Sequence, residues 1–425
     1  MDDRPLDAAM RAPITVMRDG TVKQVNPLSG TEVWTVPGRA NRPLVARGSG
    51  AVAEGPPGRG VPCAFCLDRL EEVPPEKARL IRADGGFRTL TALPPEELRT
   101  TTPEFRRLPN LFEIVSFDYW RGNHGHEPGA AAHAHHEAWL ASPLGRGILA
   151  DLLRARDRAG GCADPAAGER PAPEREARSL AFFAGGHDLI VPRRHLTEDG
   201  QLAAAGSLTP AAHAAYIRFT VQTLGHLYAE IPAARYVATF QNWLAPAGAS
   251  FDHLHKQLVA IDEHGDQVGR ELTRLAGRPH LYADHLAYAR RQGLVLAENA
   301  HAVAFAGFGH RYPTLEVWAK DTTARPFEMT VAQVDGVSDL VHAMHLATGA
   351  EIPSNEEWHH RPIDVDQPMP WRVELKWRVS TLAGFEGGTR IFVTTITPWD
   401  LRDRALDALR PLTAAGALGP SVELP

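Results

Sequence analysis

Cysteine is scarce, three residues in a chain of 425, too few for a disulfide framework. No run approaches the roughly 18 continuous apolar residues that a membrane-spanning helix needs. An excess of positive charge is lacking as well. With 45 Lys and Arg against 51 Asp and Glu, the formal net charge is −6, which disfavours non-specific binding to nucleic acid. The first residues, Met1-Asp-Asp-Arg-Pro-Leu, are acidic and polar and do not read as a secretory signal. What is present is a globular composition, 44% hydrophobic and 23% charged, at a length that suits two domains or one built by duplication. The expectation is a cytoplasmic enzyme or binding protein with no nucleic-acid or membrane partner. Two of the cysteines stand as Cys63-Ala-Phe-Cys66, a spacing that favours metal or redox chemistry in a reducing compartment.

Residues 14–45 read as short strands and turns, with turn signals at Asp19-Gly20 and Asn26-Pro27-Leu28-Ser29-Gly30. Residues 110–117 read as a buried strand. From 118 to 178 the character changes to a helix near 144–158, a Gly/Pro-rich tail and five histidines, His124, His126, His133, His135 and His136. This stretch reads as an insertion with a flexible linker whose histidines are solvated. His187–Pro192 is a predicted strand. Thr209-Pro210 caps a helix carrying Ile217, Val221, Leu224 and Leu227 at helical spacing. Strands at 236–240 and 256–261 flank a polar loop, and helices follow at 265–276 and 280–292. Residues 294–332 repeat this pattern, with a helix opening at Thr330. Strands near 371–379 and 389–396 and a helix from Pro398 close the chain. The predicted class is α+β, with two related halves at 1–262 and 263–425.

The most informative segment is Phe251-Asp252-His253-Leu254-His255-Lys256-Gln257. In extended backbone, alternate residues share a face, so His253, His255 and Gln257 form a polar row on a strand that otherwise reads as core. Burying three polar side chains costs several kcal/mol unless they meet partners. The row therefore faces a ligand, a metal or a reaction site, or is a set of hydrogen-bonded core residues. Imidazole suits two roles, metal ligand and nucleophile.

This row resembles the His-x-His-x-Gln motif of the galactose-1-phosphate uridylyltransferase branch of the histidine-triad superfamily. The hydrolase branch has a third His where this chain has Gln257. Other elements are similar in order. They are Asn26-Pro-Leu-Ser-Gly, Trp34, Arg39-Ala-Asn-Arg42-Pro43, Cys63-x-x-Cys66, Asn110-x-Phe112 and Val191-Pro192-Arg-Arg-His195. Phe240-Gln-Asn242, Ser250, Gly384-Phe385-Glu386 and Thr397-Pro398 complete the set. The resemblance implies a histidine-triad-like α+β fold, each half an antiparallel sheet packed by helices. It implies that His255 attacks a nucleotide α-phosphorus and that Gln257, Asn242 and Ser250 donate hydrogen bonds to phosphate oxygens. Asn110 and Phe112 would line the base and ribose pocket, Arg39 and Arg42 would hold phosphate, and Glu386 would meet sugar hydroxyls. Cys63, Cys66, His195 and His253 would bind one structural Zn²⁺ per chain. A homodimer that shares residues across its interface is implied too.

Departures from the pattern are equally specific. Glu271, His359, Glu374 and Lys376 stand where some members bind a second metal, and a protonated lysine cannot ligate one. The expectation is that Lys376 replaces that ion by pairing with Glu271 and Glu374, with His359 hydrogen-bonded nearby. Gln241 and Lys256 replace a Glu and a Gly, Lys256 facing away from His255, and the run from Lys376 to Phe385 is short. The implied activity is transfer of a nucleoside monophosphate from a nucleotide or nucleotide-sugar donor to a phosphorylated acceptor other than galactose-1-phosphate. The alternatives are a phosphorylase or hydrolase of nucleotide sugars or dinucleoside polyphosphates using the same His255, and a non-catalytic nucleotide-binding protein.

Overall fold

The computed structural model describes residues 12–37, 63–159 and 171–425. The chain begins with β1 (Ile14–Val16), β2 (Val22–Val25) and β3 (Glu32–Thr35), then β4 (Ala78–Ala83), β5 (Gly86–Thr91) and β6 (Pro103–Pro109). Five helices follow: α1 (Phe117–His124), α2 (Ala130–Ala141), α3 (Pro143–Ala159), α4 (Ala172–Ser179) and α5 (Ala181–Ala184). Next come β7 (His187–Pro192), α6 (Pro210–Glu230), β8 (Tyr236–Trp243) and β9 (Lys256–Ile261). The remainder runs α7 (Gly265–Gly277), α8 (Leu281–Arg291), β10 (Val295–Glu298), β11 (Ala302–Ala306), β12 (Thr314–Ala319) and α9 (Val331–Thr348). It closes with β13 (Ser354–His359), β14 (Arg372–Trp377), α10 (Gly384–Thr389), β15 (Ile391–Thr394) and α11 (Pro398–Ala414).

Eleven strands form one antiparallel sheet in the order β10-β11-β12-β14-β13-β8-β9-β7-β6-β4-β5. A second sheet, β1-β2-β3-β15, joins the beginning of the chain to its end through the parallel pair β3–β15. Helices α6, α9 and α11 pack on one face of the large sheet. Local signals place them: the Thr209 hydroxyl accepts from the Ala212 amide, and Thr330 and Thr397 close capping boxes with Gln333 and Asp400. Among the described residues no helix is long and apolar enough to cross a membrane. The α+β, histidine-triad-like architecture is as expected.

Strand register decides which face each polar residue occupies, because directly opposed residues share a face. Lys256 stands opposite Gln241, and Gln241 opposite Glu356. All three point under the helices. There Lys256 Nζ lies 2.6 Å from Glu356 Oε1 and 3.2 Å from Gln241 Oε1, over the Tyr216 and Trp358 rings. His345 Nε2 meets the other Glu356 oxygen at 2.7 Å. Burial pushes the Glu356 carboxyl up, yet the ammonium and imidazole outweigh it and hold the group well below the ordinary carboxylate range. The two departures noted at Gln241 and Lys256 are thus one buried polar unit.

Three expectations change. The strand assigned to 110–117 lies earlier, at β6, where Arg106 and Arg107 are almost fully buried. Arg107 is paired with Asp188 and Glu230 at 2.6 and 2.9 Å. A central strand, β13, was not anticipated in a sequence as polar as Ser-Asn-Glu-Glu-Trp-His. Within 118–178 the described residues form packed helices with their own apolar cluster around Trp139, Ile148, Leu152 and Phe183. His126, His135 and His136 are buried rather than solvated. His135 Nε2 donates to the Leu93 carbonyl at 3.1 Å, and His136 Nε2 meets Ser179 Oγ at 2.8 Å. Tyr119 and His124 reach Asp262, just beyond β9, at 2.6 and 2.8 Å and tie these helices to the end of that strand.

Replacing Lys256 with methionine leaves the Glu356 carboxylate buried beside one imidazole. Denaturant unfolding of Lys256→Met is expected to show a loss of about 3–5 kcal/mol, and the double variant Lys256→Met/Glu356→Gln to regain at least half of it.

Candidate active site

The Cys63–Cys66 turn, the residues after β7 and the segment entering β9 converge on one point. Cys63 Sγ and Cys66 Sγ are 3.9 Å apart. His253 Nδ1 lies 3.5 Å from Cys63 Sγ and 3.9 Å from Cys66 Sγ, and His195 Nδ1 lies 3.4 Å from Cys66 Sγ. A tetrahedral zinc ion with bonds of about 2.3 Å to sulfur and about 2.0 Å to nitrogen sets edges of about 3.8 Å (S–S) and about 3.5 Å (S–N). The four separations above lie within about 0.4 Å of those edges, and all four donors lie within 4.8 Å of one another. His253 Nε2 donates to the Pro192 carbonyl at 2.8 Å, which leaves the Nδ1 lone pair aimed at the sulfurs. Burial pushes the Cys63 thiol up to about 11 and the His253 imidazole down to about 3. A divalent cation would reverse the first shift and is compatible with the second, so this donor set can hold a metal.

Two residues on, the hydrogen-bond pattern inverts. His255 is 4% exposed, and its Nδ1 donates to the His253 carbonyl at 2.8 Å. Nε2 therefore carries the lone pair, and it has no hydrogen-bond partner among the described residues. Burial lowers the imidazole's pKa, partly offset by that carbonyl, so the ring is neutral at neutral pH. Phe65, from inside the Cys-x-x-Cys turn, packs at 5.3 Å between ring centroids against His255, and Phe251 at 6.4 Å.

Gln257 is half-buried on the same face as His255, and its Oε1 lies 3.0 Å from His187 Nε2. Asn110 sits beside that histidine, its Nδ2 3.1 Å from the same nitrogen, and its Oδ1 accepts from the Phe112 amide at 2.9 Å. The Phe112 ring is exposed. Asn242 Oδ1 accepts from Asn355 Nδ2 at 2.7 Å, which turns the Asn242 amide nitrogen away from β13. Ser250 is exposed at the end of the loop that leads into the histidine row. Arg39 and Arg42 lie outside the described residues. Glu386 is on α10, where it accepts from the Ala383 amide and borders a small cavity with Arg311 and Tyr312. No contact described for it reaches His255.

The expected pairing around Lys376 is corrected in one member. Lys376 Nζ lies 3.1 Å from Glu374 Oε2, as anticipated, but its second partner is Glu357 at 2.5 Å. Glu271 is taken by Arg372 at 2.6 Å and by the Tyr282 hydroxyl at 2.7 Å. Arg372 opens β14 on the face that carries Glu374, one turn of the pleat nearer to α7. His359 Nε2 lies 3.6 Å from Glu374 Oε1. Phe65, His187 and Asn355 were not singled out from sequence. A signal existed for His187, a polar side chain opening an otherwise apolar strand on the face of Gln257.

Similar proteins fit this picture. A solved ADP-glucose phosphorylase from Arabidopsis thaliana, with bound ADP-glucose, superposes with a TM-score of 0.60 at 17% identity, over 91% of this chain and 98% of that one. A GalT-like protein from the same plant superposes at 0.58, also with 17% identity and the same coverage. A curated ADP-glucose phosphorylase of Arabidopsis thaliana is 26% identical over 186 residues, 41% of this chain. The chain spans about half the length of that relative, 52%. A family model described as a domain of unknown function, DUF4921, matches residues 17–425. The chain has the fold of the galactose-1-phosphate uridylyltransferase-like branch that its motifs resembled, and it belongs to the DUF4921 family.

Proposed function

We propose that this protein is a nucleotidyltransferase that acts through a covalent nucleotidyl-His255 intermediate on a nucleotide-sugar donor. The observation that carries the reading is the tautomer of His255: with Nδ1–H on the His253 carbonyl, Nε2 is a neutral, unencumbered nucleophile. In the first step Nε2 forms a bond to the α-phosphorus while the bond from phosphorus to the departing sugar phosphate breaks. The Nδ1–H donated to the carbonyl supports the charge that develops on the ring. In the second step an oxygen of the acceptor attacks the same phosphorus and the N–P bond breaks. The Gln257 amide, with the amides of Asn242 and the hydroxyl of Ser250, donates to the non-bridging oxygens, where phosphoryl-type transfer needs charge stabilisation.

The acceptor is a phosphate. Gln257 is a poor acid or base toward water, so the intermediate is protected from hydrolysis. The likeness to an ADP-glucose phosphorylase supports inorganic phosphate as that acceptor, with a phosphorylated metabolite as the second reading. Asn110 and Phe112 border the base side of the site. Cys63, Cys66, His195 and His253 hold one Zn²⁺ that ties the turn after residue 62, the end of β7 and the approach to β9 together, two residues before the nucleophile. Arg39, Arg42 and Glu386 fit a homodimer in which the neighbouring subunit completes the phosphate and sugar contacts.

Intact-protein mass spectrometry after incubation with a panel of nucleotide sugars is expected to show a gain of one nucleoside monophosphate, absent in His255→Ala. Inorganic phosphate added to the loaded protein should discharge it to a nucleoside diphosphate. No adduct with any donor, alongside ordinary nucleotide binding, would defeat the covalent reading. The rate of adduct formation should carry a pH signature. Protonation removes the Nε2 lone pair, and burial lowers the pKa of His255. Activity is therefore flat through neutrality and falls only as pH drops below the ordinary histidine value of about 6.5. Metal analysis should return about one zinc per chain, reduced by at least half in Cys66→Ser with a lower melting temperature. Full activity in a zinc-free preparation of unchanged stability would overturn the structural-metal role.

A further inference from the structure

One buried imidazole is not used by the chemistry above. His187 opens β7, is 1% exposed, and touches both Gln257 and the segment that carries Asn110 and Phe112. Its two ring nitrogens have different surroundings. Nδ1 lies 3.2 Å from the backbone nitrogen of Ile114, which can only donate. Nδ1 must therefore hold the lone pair, and Nε2 must hold the proton. A doubly protonated ring would set two donors against each other at Nδ1, and burial opposes it, pushing His187 down to about 4.

Given that tautomer, Nε2–H needs an acceptor. Two side chains stand within reach, Gln257 Oε1 at 3.0 Å and Asn110 Nδ2 at 3.1 Å. The Asn110 oxygen is committed to the Phe112 amide, so Asn110 presents a donor and cannot serve. The Gln257 carbonyl is the acceptor that remains. An amide whose oxygen is held on one side presents its NH₂ group on the other. The orientation that a side-chain amide leaves ambiguous is here decided by the network. The Asn110 backbone N–H donates to the His187 carbonyl at 2.7 Å, and the Ile114 backbone N–H to the ring, so backbone and ring both hold the 110–114 segment against this residue.

We infer that His187 is a positioning residue for nucleotidyl transfer: its Nε2–H holds the Gln257 carbonyl and so aims the Gln257 NH₂ at the phosphate attacked by His255, while Ile114, through the ring, and Asn110, through the backbone carbonyl, couple the base-side segment to the same residue. The inference rests on the function proposed above. A histidine does this where a hydroxyl would not, because a ring nitrogen locked as an acceptor leaves the other no choice but to donate. Gln257 loses no rotamer freedom during the reaction that it has not already lost in the free protein.

The test combines a double-mutant cycle with a spectrum that does not depend on turnover. His187→Ala should lower the single-turnover rate of adduct formation by about tenfold to a hundredfold, with KM for the donor within about twofold. In a Gln257→Ala background the same substitution should change the rate little. His187→Gln, which offers an amide donor at similar reach, should restore most of the rate. Independent multiplication of the two losses, or a rise in KM at unchanged rate, would overturn the role. In ¹⁵N-histidine spectra of the unreacted protein, His187 should appear as the Nε2–H tautomer, and the Gln257 side-chain amide signal should shift in His187→Gln. An Nδ1–H tautomer would overturn the inference whether or not the protein turns over. A chain that forms no adduct at all would defeat the functional reading, while the spectrum still decides the geometry of His187.

Discussion

The register of one strand governs the rest. Between β7 and β8, the segment from His253 to Gln257 alternates between two environments that cannot be exchanged. His253, His255 and Gln257 face the metal cluster and the site, while Leu254 and Lys256 point under α6 and α9. A slip of one residue would send two imidazoles beneath the helices and an ammonium into the row that His255 and Gln257 occupy. Lys256 makes such a slip costly, because its only buried counter-charge among the described residues is Glu356, on a strand two positions away. Lys256 thereby holds His253, His255 and Gln257 in phase.

The two histidines of that row differ in which ring nitrogen is left with its lone pair. Both are buried and both give one N–H to a backbone carbonyl. His253 uses Nε2 and is left with Nδ1, which faces the cysteines. His255 uses Nδ1 and is left with Nε2, which has no hydrogen-bond partner among the described residues. The choice of nitrogen follows from which carbonyl is near: Pro192 at the end of β7 for one, and the preceding His253 itself for the other. Because His255 hangs on the backbone of His253, whose ring faces the thiols, any loosening of Cys63 or Cys66 reaches the His255 ring through one hydrogen bond.

How much of this was legible in the sequence depends on where each polar group finds its partner. The row at 253–257 could be read because alternation is local, and α6, α9 and α11 because Thr-Pro and Thr-x-x-Gln cap signals are local. Strand β13 could not. Its Asn355, Glu356 and Glu357 look like surface residues until Asn242, Lys256 and Lys376 are brought beside them from elsewhere in the chain. Arg106 and Arg107 hid β6 for the same reason, since their carboxylates lie 30 to 123 residues away in sequence, an order of magnitude beyond any local pattern. His135 and His136 were misread because the Leu93 carbonyl and Ser179 hydroxyl that satisfy them are equally remote. Glu271 was assigned to Lys376 by spacing, and geometry gave it to Arg372 instead.

The sheet order also sets two chemically different rows of side chains on one face. In the run β14-β13-β8-β9, β14 stands to β13 as β9 stands to β8. Alternate residues of β14 on the site-facing side are Arg372, Glu374 and Lys376, in place of two imidazoles and an amide. Each of those charges is neutralised at close range: Arg372 by Glu271, and Lys376 by Glu374 and Glu357. The Glu374 carboxyl is held well below the ordinary range because Lys376, His359 and His310 outweigh its burial. A group locked in this way neither gives up a lone pair nor accepts one, and moving any member would leave a buried charge unpaired. On β9 the same positions carry neutral side chains whose hydrogen bonds are satisfied on one side only. A neutral, half-satisfied row and a charged, mutually paired row thus share one face of the same sheet.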